Sequence, residues 1–189
     1  YYPDAVQMAL KLIVDPETDR ILGAQALGEE GVDKRIDVIA TAMAAGMTAT
    51  DLIDLELSYA PQFASAKDPV NMLGYVNENR ATGEKAVQWH EVETLIFEGW
   101  RLVDVRTEGA YTRGAIPGSE LITLDELRDH VEDFRGHKVI VSCRVGQRGH
   151  TAASILAQHG IEVANLDGGY LTWQMGMAAT TQPELVGAP

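Results

Sequence analysis

One cysteine in 189 residues excludes an intramolecular disulfide and any cysteine-rich metal site. No apolar run comes near the ~18 residues that a membrane span needs, and no signal-peptide pattern opens the chain, so a cytoplasmic protein without a membrane partner is expected. Positive charge is scarce as well: 15 Lys and Arg stand against 28 Asp and Glu, a formal net charge of −13. Residues 1–86 carry 7 basic against 14 acidic side chains and residues 87–189 carry 8 against 14, so neither part offers the basic surface that nucleic acid requires. Internal repeats and low-complexity tracts are absent. An initiator methionine is missing too, and Tyr1 at the start points to a piece of a longer polypeptide. What remains, 46% hydrophobic and 23% charged, is an ordinary globular composition with length for one large domain or two small ones.

The chain changes texture once. The runs "MALKLIVD" and "ILGAQALG" flank "PETD", whose proline and aspartates favour a turn, and predict a β-hairpin. Val32, Ile36, Ile39, Ala40 and Met43 fall at helical spacing, with Gly46 as the C-terminal cap. A second short helix is expected through "DLIDLEL" after a Thr50 cap, and a third at the end of "SYAPQFASAKDPVNMLGYVNENR". The polar stretch "ENRATGEKA" follows, and the domain boundary is placed there. The expected division is a first domain over residues 1–80, a linker over 81–86, a second domain over 87–178 and a tail over 179–189.

Beyond the boundary, helix-like and strand-like segments alternate: "HEVETLIFEG", "RLVDV", "TEGAYTRG", "ELI", "TLDELRDHVEDF", "KVIVS", "QRGHTAASILAQHG", "IEVANL" and "GGYLTWQMG". Strands apolar on consecutive residues are buried on both faces, and alternation with helices gives a parallel sheet. The second part is therefore expected to be a compact α/β domain.

Its chemistry centres on "VSCRVGQRGH". Cys143 follows the strand "KVIVS" and precedes a helix, the place where α/β sheets keep their ligands. A loop feeding a helix N-terminus presents free N–H groups and a positive dipole end, which attract anions and favour a thiolate. From Phe134 to Ile161 there is no Asp or Glu, while Arg135, Lys138, Arg144 and Arg148 are present. A small hydrophobic filler at the end of a buried strand is the plain alternative. The Gly146 and Arg148 spacing and the acid-free stretch favour a nucleophile.

Four separated pieces make this region resemble a rhodanese domain: Asp-x-Arg in "LVDVR", Gly-x-Ile-Pro-Gly in "GAIPG", Cys-x-x-Gly-x-Arg at Cys143, and "DGGYLTW". The resemblance implies a central parallel sheet flanked by helices and a cysteine that carries sulfane sulfur as a persulfide to an acceptor. By it Cys143 is the sulfur carrier, Arg144, Val145, Gly146, Gln147 and Arg148 form the cradle, and Asp104 and Arg106 support the loop. Two positions depart from the family pattern: Ala115 stands for a common histidine and Gly149 for a common Ser or Thr. Phosphatases and arsenate reductases use a related loop with Cys-x5-Arg; the Cys-x4-Arg here suits a smaller group.

The first part resembles the C-terminal dimerisation domain of coenzyme A disulfide reductases, among the pyridine nucleotide-disulfide oxidoreductases, through "YYPDA", "ILGAQALGEEGVDKRIDVIATAMAAGMT" and "LSYAPQFASAKDPVNMLGY". That implies a partial α+β domain lacking its first strands, a homodimer, and Tyr2 and Tyr59 near coenzyme A, with Tyr1 as a further candidate beside Tyr2. It also implies a longer parent using FAD, NAD(P)H and coenzyme A, while these residues themselves bind no FAD and no metal. A non-catalytic assembly module remains the alternative of another class.

Overall fold

The computed structural model describes residues 5–62 and 64–181, and the chain divides after Gly83 into two compact units.

The first unit opens with strands β1 (Met8–Val14) and β2 (Ile21–Gly28), paired antiparallel. Along β1 every second residue, Met8, Leu10, Leu12 and Val14, is half-buried while those between are exposed, the period-2 signature of a sheet with one covered face. Asp19 closes the turn at φ 57°, a left-handed conformation that Asp tolerates. Helix α1 (Val32–Ala44) buries Ile39 and Ala42 and ends in a Schellman motif: Gly46 at φ 76° donates to Met43 O, and Met47 N to Ala42 O.

The helix expected through residues 51–57 is shorter and tighter, a 3-10 helix over Thr50–Asp54 that turns extended at Leu55. The reason lies in α2 (Pro69–Ala81). Asn71 Nδ2 takes the carbonyls of Leu52 and Leu55 at 2.8 and 3.0 Å, which a continuing helix would have used itself. Asp68 caps α2 by accepting from Val70 N, with Pro69 at the first helical position.

The second unit holds a five-stranded, all-parallel sheet in the order β3-β7-β6-β4-β5. The strands are β3 (Ala86–Val87), β4 (Arg101–Asp104), β5 (Ser119–Leu121), β6 (Lys138–Ser142) and β7 (Glu162–Leu166). Helices α3 (Val92–Phe97), α4 (Glu108–Thr112), α5 (Gln147–Gln158) and α6 (Gly169–Thr181) flank it. Alternation of side chains splits the core in two. Val103, Val139 and Val141 pack with α5 and Phe134 on one face, while Leu102, Ile140 and Leu166 pack with Val92, Tyr170 and Trp173 on the other. Parallel strands buried on both faces are what consecutive apolar residues encode.

Four further expectations need correcting. "TLDELRDHVEDF" winds as a 3-10 helix from Leu127 to Phe134, although the face it buries, Leu127, Val131 and Phe134, keeps the spacing that suggested a helix. "HEVETLIFEG" splits into a 3-10 helix over Trp89–Glu91 and α3. The stretch 81–86 does not lie between the units as a free linker. Ala81 ends α2, Lys85 O accepts from Asn165 N at 2.8 Å, and Ala86 already pairs in the sheet. Helix α6 likewise runs on to Thr181, past the expected start of the tail.

Candidate functional site

Strand β6 lies between β7 and β4, and Cys143 is the residue after its last, at the carboxyl edge of the sheet. The side chain continues the Val139, Val141 face and is 1% exposed. Four residues later α5 begins. Its N-cap, Gly146, sits at φ 99°, a conformation open to glycine and strained for other residues, and this turns the Gly146 N–H back onto Cys143 Sγ at 3.2 Å. The loop Cys143–Gly146 thus curls around the sulfur, with the unpaired first amides of α5 following it.

The loop is fastened from behind by α6. Tyr170 N donates to Cys143 O at 2.8 Å and Leu171 N to Arg144 O at 3.1 Å. Gly169, at φ 60°, has to be glycine: a Cβ there would lie 2.5 Å from Cys143 O and 2.8 Å from Val145 N. Gly169 therefore serves close approach of two backbones.

Asp104 and Arg106 are buried and bonded to each other, Nη2 to Oδ2 at 2.6 Å, with Nε 2.9 Å from both carboxylate oxygens. Arg106 also donates to Gly114 O at 2.7 Å and lies 4.3 Å over the ring of Tyr170. Neither touches the sulfur; their link to the loop runs through Tyr170. The residue that follows Gly114 is Ala115, half-buried. Among the described residues the side chains of Arg144, exposed, and Arg148, half-buried, have no hydrogen-bond or ion-pair partner. Two guanidiniums without partners flank a loop whose Gly146 N–H points at the sulfur, chemistry suited to an anion. Val145, between Arg144 and Gly146, is 55% exposed, while Gln147 opens α5 with its side chain in solvent.

The other sequence candidates lie in the first unit. Tyr1 and Tyr2 fall outside the described residues. Tyr59 is 55% exposed on a polar depression lined also by Asp54, Ser58, Ser65 and Lys67. Lys67 lies 5.2 Å over the Tyr75 ring, and its hydrogen bond and charge interaction with that phenol raise its pKa above the usual lysine value. Among the described residues no cluster of His, Cys, Asp and Glu could hold a metal ion, and no helix is long and apolar enough to cross a membrane. Sequence reading passed over Glu84, His150 and Asn165, which stand directly behind the loop: Asn165 Nδ2 donates to Gly146 O at 3.2 Å, and His150 Nδ1 pairs with Glu84 Oε2 at 2.8 Å. Nothing local in the sequence marks them, since Glu84 and Asn165 are 81 residues apart.

Comparison with known proteins agrees with this division. Residues 88–175 match the rhodanese-like domain, and residues 1–69 match the pyridine nucleotide-disulphide oxidoreductase dimerisation domain. A coenzyme A disulfide reductase of Staphylococcus aureus (strain bovine RF122 / ET3-1) is 44% identical over 75 residues, 40% of this chain and 17% of that protein. The chain thus spans about a sixth of the length of the curated relatives it matches. The structure of reduced Bacillus anthracis CoADR-RHD is 46% identical with a TM-score of 0.89, over 97% of this chain and 32% of that one. A NAD-dependent persulfide reductase from A. fulgidus is 36% identical with a TM-score of 0.81, over 92% and 31%.

Proposed function

We propose, for a chain that joins a pyridine nucleotide-disulphide oxidoreductase dimerisation domain to a rhodanese-like domain and is homologous to the C-terminal part of coenzyme A disulfide reductases, that Cys143 carries sulfane sulfur. The observation that carries this reading is the Gly146 N–H aimed at Cys143 Sγ at 3.2 Å, at the head of a 12-residue helix and beside two unpartnered arginine side chains. An N–H donor and a helix dipole both stabilise negative charge on sulfur. The Cys143 thiolate attacks the outer sulfur of an anionic donor such as thiosulfate. A new S–S bond forms, the donor's S–S bond breaks, and sulfite leaves with the bonding pair. The resulting Cys143 persulfide has its terminal charge within the loop, where Arg144 and Arg148 supply countercharge. An acceptor nucleophile then takes the outer sulfur and Cys143 leaves again as thiolate, so that each step is a displacement at sulfur with no external oxidant.

Burial restricts the donor. With Cys143 1% exposed, a terminal sulfur on a slender group reaches Sγ and a bulky internal disulfide does not. The parent protein we infer is a homodimeric reductase of disulfides, persulfides or polysulfides, its FAD and NAD(P)H held by domains outside these residues. In it Tyr59, and Tyr2 with it, lies close to coenzyme A. The name of the A. fulgidus relative, a persulfide reductase, supports that setting.

The test is intact mass spectrometry after incubation with thiosulfate or coenzyme A persulfide, then with cyanide. The expected result is a gain of one sulfur at Cys143, removed by cyanide and absent from Cys143→Ser. A folded protein that gains no sulfur from either donor would return the chain to the assembly-module reading.

A further inference from the structure

The residue whose N–H donates to the sulfur is itself gripped, through its carbonyl, from the sheet. Gly146 O accepts from His150 N at 2.8 Å, in the first turn of α5, and from Asn165 Nδ2 at 3.2 Å. Asn165 sits on β7 opposite Val141 of β6, so this second grip comes from a neighbouring strand and not from the loop. The same Nδ2 lies 3.4 Å from Glu84 Oε1, and the other oxygen of Glu84 pairs with His150 Nδ1. A ring therefore closes behind the loop: Gly146, Asn165, Glu84, His150 and back to Gly146.

The orientation of the Asn165 amide is decided by its surroundings. Both groups facing its nitrogen accept only, so turning the amide round would set oxygen against oxygen twice. Its Oδ1 is then left buried without a hydrogen-bond partner among the described residues. That oxygen occupies the space a Cβ on Gly149 would need, which accounts for glycine at 149. An unpaired buried acceptor is costly, and the arrangement retains it while holding Gly146 fast.

We propose that Asn165 is a positioning residue for the Cys143 sulfur: from β7 it holds the Gly146 carbonyl, and with it the peptide to Gln147, so that Gly146 keeps the φ 99° conformation in which its N–H points at Sγ. It does from the strand what a hydroxyl at position 149 would do from the helix, since a serine can donate to the carbonyl three or four residues back. The inference rests on Cys143 acting as the nucleophile of the proposed reaction, but its primary readout does not require sulfur transfer.

The experiment uses the whole chain and the variants Asn165→Ala, Asn165→Leu, Gly149→Ser and the pair Asn165→Ala/Gly149→Ser, each checked for folding by circular dichroism. Alkylation of Cys143 by iodoacetamide at neutral pH is followed by intact mass, and sulfur transfer from thiosulfate to cyanide is measured beside it. Asn165→Ala is expected to slow alkylation about tenfold, with a matching fall in kcat and no change in KM for thiosulfate, because Arg144 and Arg148 are untouched. Asn165→Leu, which keeps the volume and removes the donors, is expected to do the same and serves should the alanine variant fail to fold. Gly149→Ser alone is expected to be slow, its side chain competing with Asn165 for one space, and the pair to recover to within about twofold of the parent. A folded Asn165 variant alkylated at the parent rate overturns the proposal, as does a rise in KM with kcat unchanged or a pair as slow as Asn165→Ala. If the parent chain transfers no sulfur while Asn165→Ala still slows alkylation, the sulfurtransferase reading falls and the positioning role stands.

Discussion

Both units bury charge, and they do so at opposite ranges. In the first, Arg35 on α1 reaches Asp68 at the start of α2, 33 residues away, at 2.9 Å, with the two side chains 8% and 4% exposed. In the second, Asp104 and Arg106 pair two residues apart within a single turn. The long-range pair accompanies a small apolar cluster, Ile21, Ile39, Ala42, Ala49, Leu52 and Val70, over which a two-stranded sheet and two helices have to be held. Asp19 adds to it by taking Thr50 N at 2.9 Å and Asn77 Nδ2 at 2.7 Å. The second unit has an apolar cluster on each face of its sheet, so its buried ion pair is free to serve the loop. A hairpin by itself is marginal in water, whereas a five-stranded sheet covered on both faces is not. The first unit is held by polar ties between elements, and the second by apolar packing with its polar groups gathered around one cysteine.

The comparison breaks most visibly if the second core is hollowed. Phe134 is fully buried and is covered on one side by the Arg101 guanidinium at 4.5 Å. Phe134→Ala is expected to cost about 3–5 kcal/mol, and the loss should appear in tryptophan fluorescence, since Trp89, Trp100 and Trp173 all belong to the second unit. Sulfur loading of Cys143 should weaken with it, while hydrogen exchange in residues 32–44 stays as in the parent.

Arg35→Ala sharpens the contrast from the other side. It leaves Asp68 buried without its cation, at an expected cost of about 3 kcal/mol. Hydrogen exchange should rise across α1 and α2, with tryptophan fluorescence and sulfur loading unchanged; a change in either would show that the two units stabilise one another.

The smallest effect is the acid sensitivity of one junction in the first unit. Burial acts to raise the Asp19 pKa, but hydrogen bonds from Thr50 and Asn77 outweigh it and hold the carboxylate below its ordinary value of 3.8. A carboxylate with a depressed folded pKa contributes stability above its unfolded value and loses it as pH falls through the folded one. Below about pH 3.8 the junction of the hairpin turn with Thr50 and α2 should therefore loosen. Hydrogen exchange of peptides 15–20 and 48–52 would record this, and Asp19→Asn should remove the dependence.

Much of the site was legible because its signals are local. The strand "KVIVS", the glycine three residues after Cys143 and the arginine five after it fix a strand, a left-handed turn and a helix start within about ten residues. The hairpin was readable for the same reason, from alternation on either side of a turn. The winding of Leu127–Phe134 was not, because spacing reveals which face is buried and not whether the bonds run to the third or fourth residue. Strand β3 escaped notice because two residues form a strand only against β7, through Val87 and Leu166. Asn71 ended the 3-10 helix from 16 residues away, and no local pattern announces that.

The sequence by itself determined where the chain changes from one unit to the next, the α/β character of the second and the place of Cys143 at a strand end, since each follows from residue periodicity and the backbone preferences of glycine and proline. Only the tertiary structure decided what holds the sulfur loop in shape. Tyr170 on its carbonyls, Arg106 over Tyr170, and Asn165 with Glu84 and His150 behind Gly146 come together from distant positions. A buried polar group takes whichever partner the fold brings within about 3 Å, and sequence order does not encode that distance.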